Sequence, residues 1–280
     1  FGGRTMPIHQ FTVGEMTCTV LSELESQIPY DENVTNFFIT ATFEEIRAAA
    51  DEIGEGEFMT NAINILLIQS DGTNLLVDTG IGNPERSGLM GALAEAGIGA
   101  DQIDIVFITH LHGDHYGGLI VNDEVMFPNA RYVVNRAEWE YWLSDETLAG
   151  SGPRVDGVKT GVLPLAAKFS FVEPDGEIIP GVEVVRAYGH SPGHVGLYIT
   201  SGDDSLLFMS DSVNRVIQLS RPTWHFAYDQ DKEQAVQSRI AMLSRAADTG
   251  TLTMFYHLPF PGLGNVTRVG DAFRWQPIDS

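Results

Sequence analysis

The chain has 280 residues, of which 43% are hydrophobic and 19% are charged. This composition supports a globular core and excludes a disordered chain. Acidic residues outnumber Lys and Arg by 38 to 16, a net charge of −22, which disfavours nucleic acid, anionic membranes and polyanionic substrates as partners. No apolar stretch is long enough to span a bilayer.

Cysteine content and the first residues bear on cellular location. Cys18 is the single cysteine, which excludes an internal disulfide and a zinc site built from thiolates. The chain opens Phe1-Gly2-Gly3-Arg4, with no charged segment leading into an apolar one. We therefore expect a cytoplasmic protein; a signal removed upstream would instead place it in the periplasm or outside the cell.

Apolar periodicity and turn residues predict a mixture of strands and helices. In chain order the first half is predicted to contain a strand at 11–21, a helix at 43–53 between the N-cap Thr42 and Gly54, strands at 62–69 and 74–77 joined by Asp71-Gly72, a helix at 89–96 and a strand at 103–108. The second half is predicted to contain a strand at 131–135, a helix at 137–143, a long loop at 149–161, strands at 182–187, 195–200 and 205–209, a helix at 232–247 and a strand at 252–256.

Strand blocks mixed with helices predict stacked sheets covered by helices on their outer faces. No repeat or low-complexity linker interrupts the chain. We therefore expect residues 1–280 to form a single domain.

Three of the eight histidines fall in one short window that directly follows the predicted strand at 103–108. On an extended segment His110 and His112 point the same way, and Gly113 then lets the chain turn before Asp114 and His115. This spacing can present two imidazoles to one metal ion, and a carboxylate with an imidazole to a second ion about 3.5–4 Å away.

Further polar residues follow apolar strands in the same manner. They are His190, Asp211 and His257. Side chains at strand ends converge at one rim of a sheet, where a rigid scaffold can hold ligands. Asp211 offers two oxygen atoms and could bridge two metal ions.

Taken in order, these residues resemble the signature of the metallo-β-lactamase superfamily, and Asp78 in the segment 76–80 resembles its early acidic motif. The resemblance implies an α/β fold, an αββα four-layer sandwich, over nearly the whole chain. It also implies two metal centres and their supports: His110, His112 and His190 on the first metal, Asp114, His115 and His257 on the second, Asp211 bridging, and Asp78 and His194 supporting ligands without binding metal.

Within the superfamily, the segments 114–119, 127–130, 141–144 and 257–264 are similar to the methyl parathion hydrolase branch. Members of that branch hydrolyse organophosphate triesters, and close relatives hydrolyse esters and lactones. By this resemblance Trp142 lines the leaving-group pocket; a core position on an amphipathic helix is the alternative. Trp224 and His225 form an aromatic segment that could line the pocket or contact another subunit, since that branch forms dimers.

One position departs from a related group. Acyl-homoserine lactonases of this superfamily carry a Tyr three residues after the bridging Asp, where this chain has Asn214. The departure disfavours a quorum-quenching lactonase of that type and leaves other lactones open.

The sequence therefore predicts a dinuclear metal-dependent hydrolase of neutral esters, lactones or organophosphate triesters, with a metal-bridging hydroxide as nucleophile and Asp114 and Asp211 as catalytic residues. The ligand types favour zinc, and manganese, iron or cobalt also fit them. One alternative is a thioesterase of the glyoxalase II type, whose anionic substrate would need a basic cluster near the C-terminus, where this chain offers little beyond Arg268 and Arg274. The other is a non-catalytic metal-binding protein of the same fold.

Overall fold

Strands and helices intermix along residues 6–278, the part of the chain that this computed structural model describes. The strands are β1 (Ile8–Val13), β2 (Met16–Pro29), β3 (Phe58–Ser70), β4 (Thr73–Val77), β5 (Ile105–Ile108), β6 (Ile120–Val121), β7 (Glu124–Val125), β8 (Arg131–Asn135), β9 (Phe169–Val172), β10 (Glu177–Ile179), β11 (Val182–Arg186), β12 (Val195–Ser201), β13 (Asp204–Phe208), β14 (Leu252–Met254), β15 (Leu263–Val269) and β16 (Ala272–Pro277). The α-helices are α1 (Phe43–Ile53), α2 (Leu89–Glu95), α3 (Gly113–Tyr116), α4 (Arg136–Trp142), α5 (Asp145–Ala149), α6 (Pro153–Gly161), α7 (Ile217–Ser220) and α8 (Lys232–Thr249).

Two seven-stranded sheets carry the fold. The first has the order β1-β2-β3-β4-β5-β8-β9, and the second has the order β10-β11-β12-β13-β14-β15-β16. The first sheet is antiparallel from β1 to β4 and parallel from β4 to β9. In the second sheet only the β13–β14 pair is parallel. Parallel neighbours end at the same edge of a sheet, which brings the residues after β5, and those after β13 and β14, to common rims.

Side-chain alternation on the strands explains the layers. In β13, Leu206 and Phe208 belong to a core that also contains Val20 and Ile65 of the first sheet. The intervening Leu207 points to the opposite face and packs in a second cluster with Leu243 of α8. The sheets thus bury one face against each other and the other beneath helices, which confirms the predicted αββα arrangement. None of the helices within residues 6–278 combines the length and the apolar character that crossing a membrane requires.

Capping and turn residues correctly predicted the two ends of α1 and the turn between β3 and β4. Thr42 caps α1: its side chain accepts from the Glu45 backbone, and the Glu45 side chain accepts in return from the Thr42 backbone. Gly54 ends that helix in the left-handed conformation, with φ of 79°. Asp71 and Gly72, both with positive φ, form the predicted turn between β3 and β4.

The strand predicted at 11–21 is wrong, because the chain reverses inside it. Gly14, with φ of 55°, and Glu15 form a two-residue turn between β1 and β2. A Cβ at Gly14 would lie 2.2 Å from the carbonyl oxygen of Ser201, so the turn packs tightly against the second sheet. Apolar and polar residues alternate on both sides of the turn, which is why the pattern looked like one strand.

The loop predicted at 149–161 is also wrong, because most of it is α6. Pro153 stands at the first position of this helix, where its fixed φ is favourable and its missing N–H is not needed. The glycines that suggested a loop allow close packing instead. A Cβ at Gly157 would lie 2.4 Å from Oη of Tyr116, and one at Gly161 would lie 2.9 Å from Cε2 of the same ring.

This packing makes Gly157 a test of the helix assignment. In a solvated helix Gly→Ala stabilises by about 0.5–1 kcal/mol, but here we expect Gly157→Ala to lower the free energy of unfolding by about 1–3 kcal/mol. Adding Tyr116→Phe removes the obstructing hydroxyl and should restore part of the loss. Chemical denaturation of the four proteins of the double-mutant cycle measures both effects; a Gly157→Ala protein that gains stability would contradict the packing.

Candidate metal centre

The seven predicted ligands lie together at the carboxyl ends of strands from both sheets. His110 and His112 follow β5, and the short helix α3 carries Asp114 and His115. The remaining three follow β11, β13 and β14, respectively: His190, Asp211 and His257. Six of the seven are at most 7% exposed, and Asp114 is the one whose side chain reaches solvent, at 39%.

The first group joins three imidazoles. Nδ1 of His112 lies 2.9 Å from Nε2 of His110 and 3.0 Å from Nε2 of His190. Burial, followed by the neighbouring His115, lowers the pKa of His110 well below its usual value. Burial and His190 do the same to the pKa of His112. Both rings are thus neutral at pH 7, the form in which imidazole binds a metal ion.

The second group joins Asp114, His115 and His257. Nε2 of His257 lies 3.5 Å from Oδ2 of Asp114, and Nε2 of His115 lies 3.9 Å from Oδ1 of Asp114. Asp211 stands between the groups: its Oδ1 is 3.2 Å from Nε2 of His115, and its Oδ2 is 3.3 Å from Nε2 of His190. His110 is also within reach of His115 and Asp211, with ligand atoms no more than 4.8 Å apart. The groups therefore adjoin each other.

The hydrogen bonds behind the rings show that these residues fit metal ions. The Nδ1 atoms of His115, His190 and His257 donate to atoms that only accept: Oδ2 of Asp78 at 2.8 Å, Oδ1 of Asp229 at 2.8 Å and the carbonyl oxygen of Ala62 at 2.9 Å. In the neutral form of each ring, which is the form that binds a metal ion, Nε2 is then a lone pair that faces the other ligands. Nε2 of His115 and Oδ1 of Asp211 are buried without a hydrogen-bond partner. Converging buried lone pairs repel one another, and divalent cations at their centre remove that repulsion.

Asp78, predicted to support the ligands, is buried beneath α3. Besides His115, it accepts from the backbone N–H and the hydroxyl of Thr109, both at 2.8 Å. It therefore ties the residue before His110 to His115. Its φ of 66° is unusual for an aspartate and directs the chain sharply after β4.

His194 uses both ring nitrogens for structure. Nδ1 donates to the carbonyl oxygen of Ala187 at 2.7 Å, and Nε2 accepts from the backbone N–H of Asp211 at 3.1 Å. Burial, followed by His190, lowers the pKa of His194 to about 3, so the ring is neutral. The geometry places His194 behind Asp211, outside the ligand groups.

Sequence reasoning missed a buried ionic chain behind His190. Asp229, 2% exposed, accepts from Nδ1 of His190 and, through Oδ2, from Nη2 of Arg239 at 3.1 Å. Arg239 also donates to the carbonyl oxygens of Ser212, Pro222 and Trp224. This arginine on α8 therefore fixes both the loop after Asp211 and the carboxylate that orients His190. No motif marks either residue, since the chain brings them together only in the fold.

We expect Asp229→Ala to weaken metal binding about 10–100-fold, the usual effect of removing a carboxylate that orients a ligating histidine. Competition with a chromophoric chelator measures this affinity. Asp203→Ala, at an exposed aspartate, is the matched control and should bind metal like the unaltered protein. Unchanged affinity in Asp229→Ala would show that His190 needs no such support.

Glu138 is a second missed residue, fully buried on α4. It accepts from the backbone N–H of Leu111 at 2.8 Å, from the backbone N–H of Gly193 at 2.7 Å, and from the hydroxyl of Ser191. Nε1 of Trp142 donates to it at 2.8 Å. One carboxylate thus joins the loop of His110 and His112 to the loop of His190 and His194. Burial raises the pKa of Glu138.

A cavity of about 420 Å³ opens onto the ligand groups. Its walls combine apolar and cationic side chains. Beyond the ligands His112, Asp114, His190, Asp211 and His257, it is lined by Ile28, Phe37, Asn61, Gly113, Arg154, Asn214, Arg215, Phe226 and Tyr228.

The aromatic residues predicted for the pocket do not line this cavity. Trp142 is buried, 3% exposed, with its ring 6.1 Å from that of His112 and its N–H bound to Glu138. Trp224 packs on Phe38 at 5.9 Å, and the carbonyl oxygen of His225 accepts from the backbone of Ile39. The predicted segment does reach the cavity, but through other residues. The aromatic side chains that line the cavity there are Phe226 and Tyr228, which contact the ring of Phe37.

The thioesterase alternative requires basic residues near the C-terminus to lie at the site, and Arg268 and Arg274 do not. Arg268 pairs with Asp248 at 2.8 Å on the surface, and Arg274 lines a separate pocket. The cavity instead contains Arg154 at its rim and Arg215 in its wall. Burial lowers the pKa of Arg215 to about 10, which leaves it charged at pH 7. An arginine within the apolar segment 213–217 of so acidic a chain was a signal available in the sequence.

Comparison with known proteins agrees with this geometry. A curated N-acyl homoserine lactonase of Bacillus thuringiensis is 31% identical over 129 residues, which cover 46% of this chain and 46% of that protein. The chain spans less than half the length of the curated relatives it matches. The solved structure of AidC, a dizinc quorum-quenching lactonase, has a TM-score of 0.88 and 26% identity over 99% of both chains. The hydrolase AbOPH, at 24% identity and a TM-score of 0.87 over 99% of both chains, shares the fold.

The methyl parathion hydrolase branch stays a prediction, since none of these relatives is named as one. The family model described as the metallo-beta-lactamase superfamily matches residues 60–249, more than half of the chain and all of the ligands except His257. The chain belongs to the metallo-beta-lactamase superfamily.

Proposed function

We propose that the protein is a dinuclear metal-dependent hydrolase whose main substrates are lactones and related small carboxylic esters. One observation carries the proposal: seven donor side chains form adjoining groups at the floor of a 420 Å³ cavity. The proposal keeps the single-domain organisation expected from the sequence, which the core shared by both sheets supports.

The ligands divide between two ions by proximity. His110, His112 and His190 would hold the first, and Asp114, His115 and His257 the second. Asp211 would contact both, since its Oδ1 lies 3.2 Å from His115 and its Oδ2 lies 3.3 Å from His190 and 3.2 Å from His257. Zinc suits this set of imidazoles and carboxylates, and a bound pair of divalent ions lowers the pKa of a water molecule and polarises the ester carbonyl.

Asp114 is the ligand best placed to move a proton. It is the one whose carboxylate is substantially exposed to the cavity, while its backbone carbonyl is fixed by the hydroxyl of Tyr256 at 2.7 Å. A carboxylate there can accept the proton of the attacking water and pass it to the leaving oxygen. Asn214 takes the position of the lactonase tyrosine; its amide donates to the carbonyl oxygen of Asp211 at 2.9 Å, so it braces the bridging residue.

The Bacillus thuringiensis lactonase and AidC, both named as lactonases, support a lactone over a phosphotriester. Phosphotriester hydrolysis is the second candidate, supported by the segments at 114–119 and 257–264 that resemble the methyl parathion hydrolase branch. Both reactions need the same centre, so the substrate preference separates them.

The test measures kcat/KM of one zinc-loaded preparation on a γ-lactone, an aryl carboxylic ester and a dimethyl aryl phosphotriester. We expect turnover of the lactone and the ester to exceed that of the phosphotriester, and a chelator to abolish all three. The reverse order would favour the organophosphate reading. Background rates on all three with two metal ions bound would contradict the proposal.

A further inference from the structure

Arg215 is a buried cation whose side chain has few partners in the protein. It is 6% exposed, and its Nε has no hydrogen-bond partner. Within residues 6–278 its side chain forms one hydrogen bond, from Nη1 to the carbonyl oxygen of the adjacent Asn214 at 2.6 Å, and no salt bridge. The rings of Phe37 and Phe226 lie 5.9 and 6.0 Å from the guanidinium carbon.

Arg239 shows how this fold treats a buried arginine whose partners all belong to the protein. That side chain donates to three backbone carbonyls and to the carboxylate of Asp229. The carboxylates of Asp211, Asp114 and Glu55 act on Arg215 from a distance, and none of them forms a salt bridge with it. Burying a guanidinium without a direct ion pair is costly, and aromatic faces recover only part of the cost. Arg215 lines the cavity, whereas Arg239 does not. We therefore expect the hydrogen-bond partner of the Arg215 side chain to be a molecule that binds in the cavity.

The local charge agrees with an anionic occupant. The protein as a whole has a net charge of −22, yet Arg154 and Arg215 both line this cavity. They offset the carboxylates of Asp114 and Asp211, and two divalent ions at the proposed centre would make the cavity positive. The neutral substrate expected from the overall charge does not follow from the charge at the site.

We propose that Arg215 binds a carboxylate that the substrate carries in addition to the ester bond that is cleaved. The inference rests on the proposed function, and it narrows the substrate class to anionic lactones or esters. A planar guanidinium matches a carboxylate through two parallel hydrogen bonds. The apolar side chains of Ile28, Phe37 and Phe226 fit a short alkyl chain between that carboxylate and the ester.

Two aryl esters that differ in one terminal group test this. 4-Nitrophenyl hydrogen adipate carries a terminal carboxylate where 4-nitrophenyl hexanoate carries a methyl group. We expect the unaltered zinc-loaded protein to prefer the adipate ester by about 10-fold or more in kcat/KM, the usual value of a charge-assisted hydrogen bond. Arg215→Met keeps much of the side-chain volume and should remove this preference, so that the ratio of the two kcat/KM values falls to about 1.

Binding of the unreactive acids gives a readout independent of turnover. By calorimetry, adipate should bind the zinc-loaded protein more tightly than hexanoate, and Arg215→Met should abolish the difference. Arg215→Lys, which keeps a charge without the planar fork, should retain part of it. Arg268→Met is the matched control, since it makes the same change in net charge at a surface ion pair, and it should keep the full preference.

The outcomes separate this inference from the proposed function. Turnover of both esters without a preference for adipate would overturn the role of Arg215 and leave the hydrolase standing. If adipate binds more tightly than hexanoate in an Arg215-dependent way but neither ester is turned over, the hydrolase function is overturned and the role of Arg215 in binding a carboxylate stands. A loss of both substrates in equal measure, together with a lowered melting temperature, would make Arg215 structural. If Arg215→Met does not fold, the preference for adipate over hexanoate can still be compared between the unaltered protein and Arg215→Lys. A preference that is equal in the two proteins, or absent from the unaltered one, would overturn the role of Arg215.

Discussion

Asp211→Ala is expected to lower kcat at least about 10³-fold and to leave roughly one metal ion per chain instead of two. The side chain lies 3.2 Å from His115 and 3.3 Å from His190, so its carboxylate reaches both ligand groups. Removing it would leave each of the two proposed ions a ligand short and would remove a negative charge that lies between the ligand groups. Elemental analysis of the dialysed protein and kinetics on a lactone measure the two effects.

Asp203→Ala makes the same change at an exposed position and should leave metal content and turnover unaltered. The backbone around Asp211 is fixed independently, through the N–H bound to His194 and the carbonyl bound to Asn214. We therefore expect the Asp211 variant to fold. Full activity with two metal ions bound would contradict the assignment of Asp211 as the shared ligand.

Glu138→Ala is expected to lower the free energy of unfolding by about 3–5 kcal/mol, because it strands several buried donors at once. The N–H groups of Leu111 and Gly193, the indole of Trp142 and the hydroxyl of Ser191 would all lose their acceptor. Equilibrium denaturation measures the loss. The two histidine loops would also lose their common anchor, so we expect weaker metal binding under conditions in which the variant is folded.

Glu140→Ala is the matched control, two residues further along α4 and exposed. It should change stability by no more than about 0.5 kcal/mol. Glu138→Gln keeps the acceptor at one oxygen but sets an amide against the N–H of Gly193, so its stability should fall between those of the alanine variant and the unaltered protein. A Glu138→Ala protein as stable as its Glu140→Ala counterpart would show that the loops do not depend on this carboxylate.

The candidate ligand residues were predictable because they follow apolar strands. The pattern identifies a strand from local spacing, and the polar residue that ends it marks a position at the rim. His110, His112 and His115 were further marked by being crowded into six positions. The mixture of strand blocks and helices also predicted stacked sheets covered by helices, and the structure places the neighbouring residues Leu206 and Leu207 in different layers.

The residues behind the ligands could not be predicted in the same way. Asp229, Arg239 and Glu138 are ordinary charged residues on helices and loops, and their importance comes from burial and from partners distant in sequence. Glu138 contacts Leu111 and Gly193, which are 27 and 55 positions away. Local patterns carry no information on contacts at that range.

For the wall of the cavity, the sequence predicted a chain segment that reaches it but not the residues that line it. The chain from 222 to 226 does reach the site, but pairing of Phe38 with Phe226 decides which residues face inward. Around that bridge the segment consists of bends and turns, so local spacing does not show that Phe226 and Tyr228 face the cavity while Trp224 and His225 do not. The net charge of the chain predicted a neutral substrate, but a total over the whole chain does not reveal that two arginines line one cavity.

The measurement that tests the central claim most directly is a titration of metal-free protein with zinc, followed by kcat/KM on a γ-lactone. The account predicts no turnover without metal and a rise that reaches its plateau at two equivalents per chain. Turnover that persists after the metal is removed, or a plateau at two bound ions with no lactone hydrolysis, would contradict it.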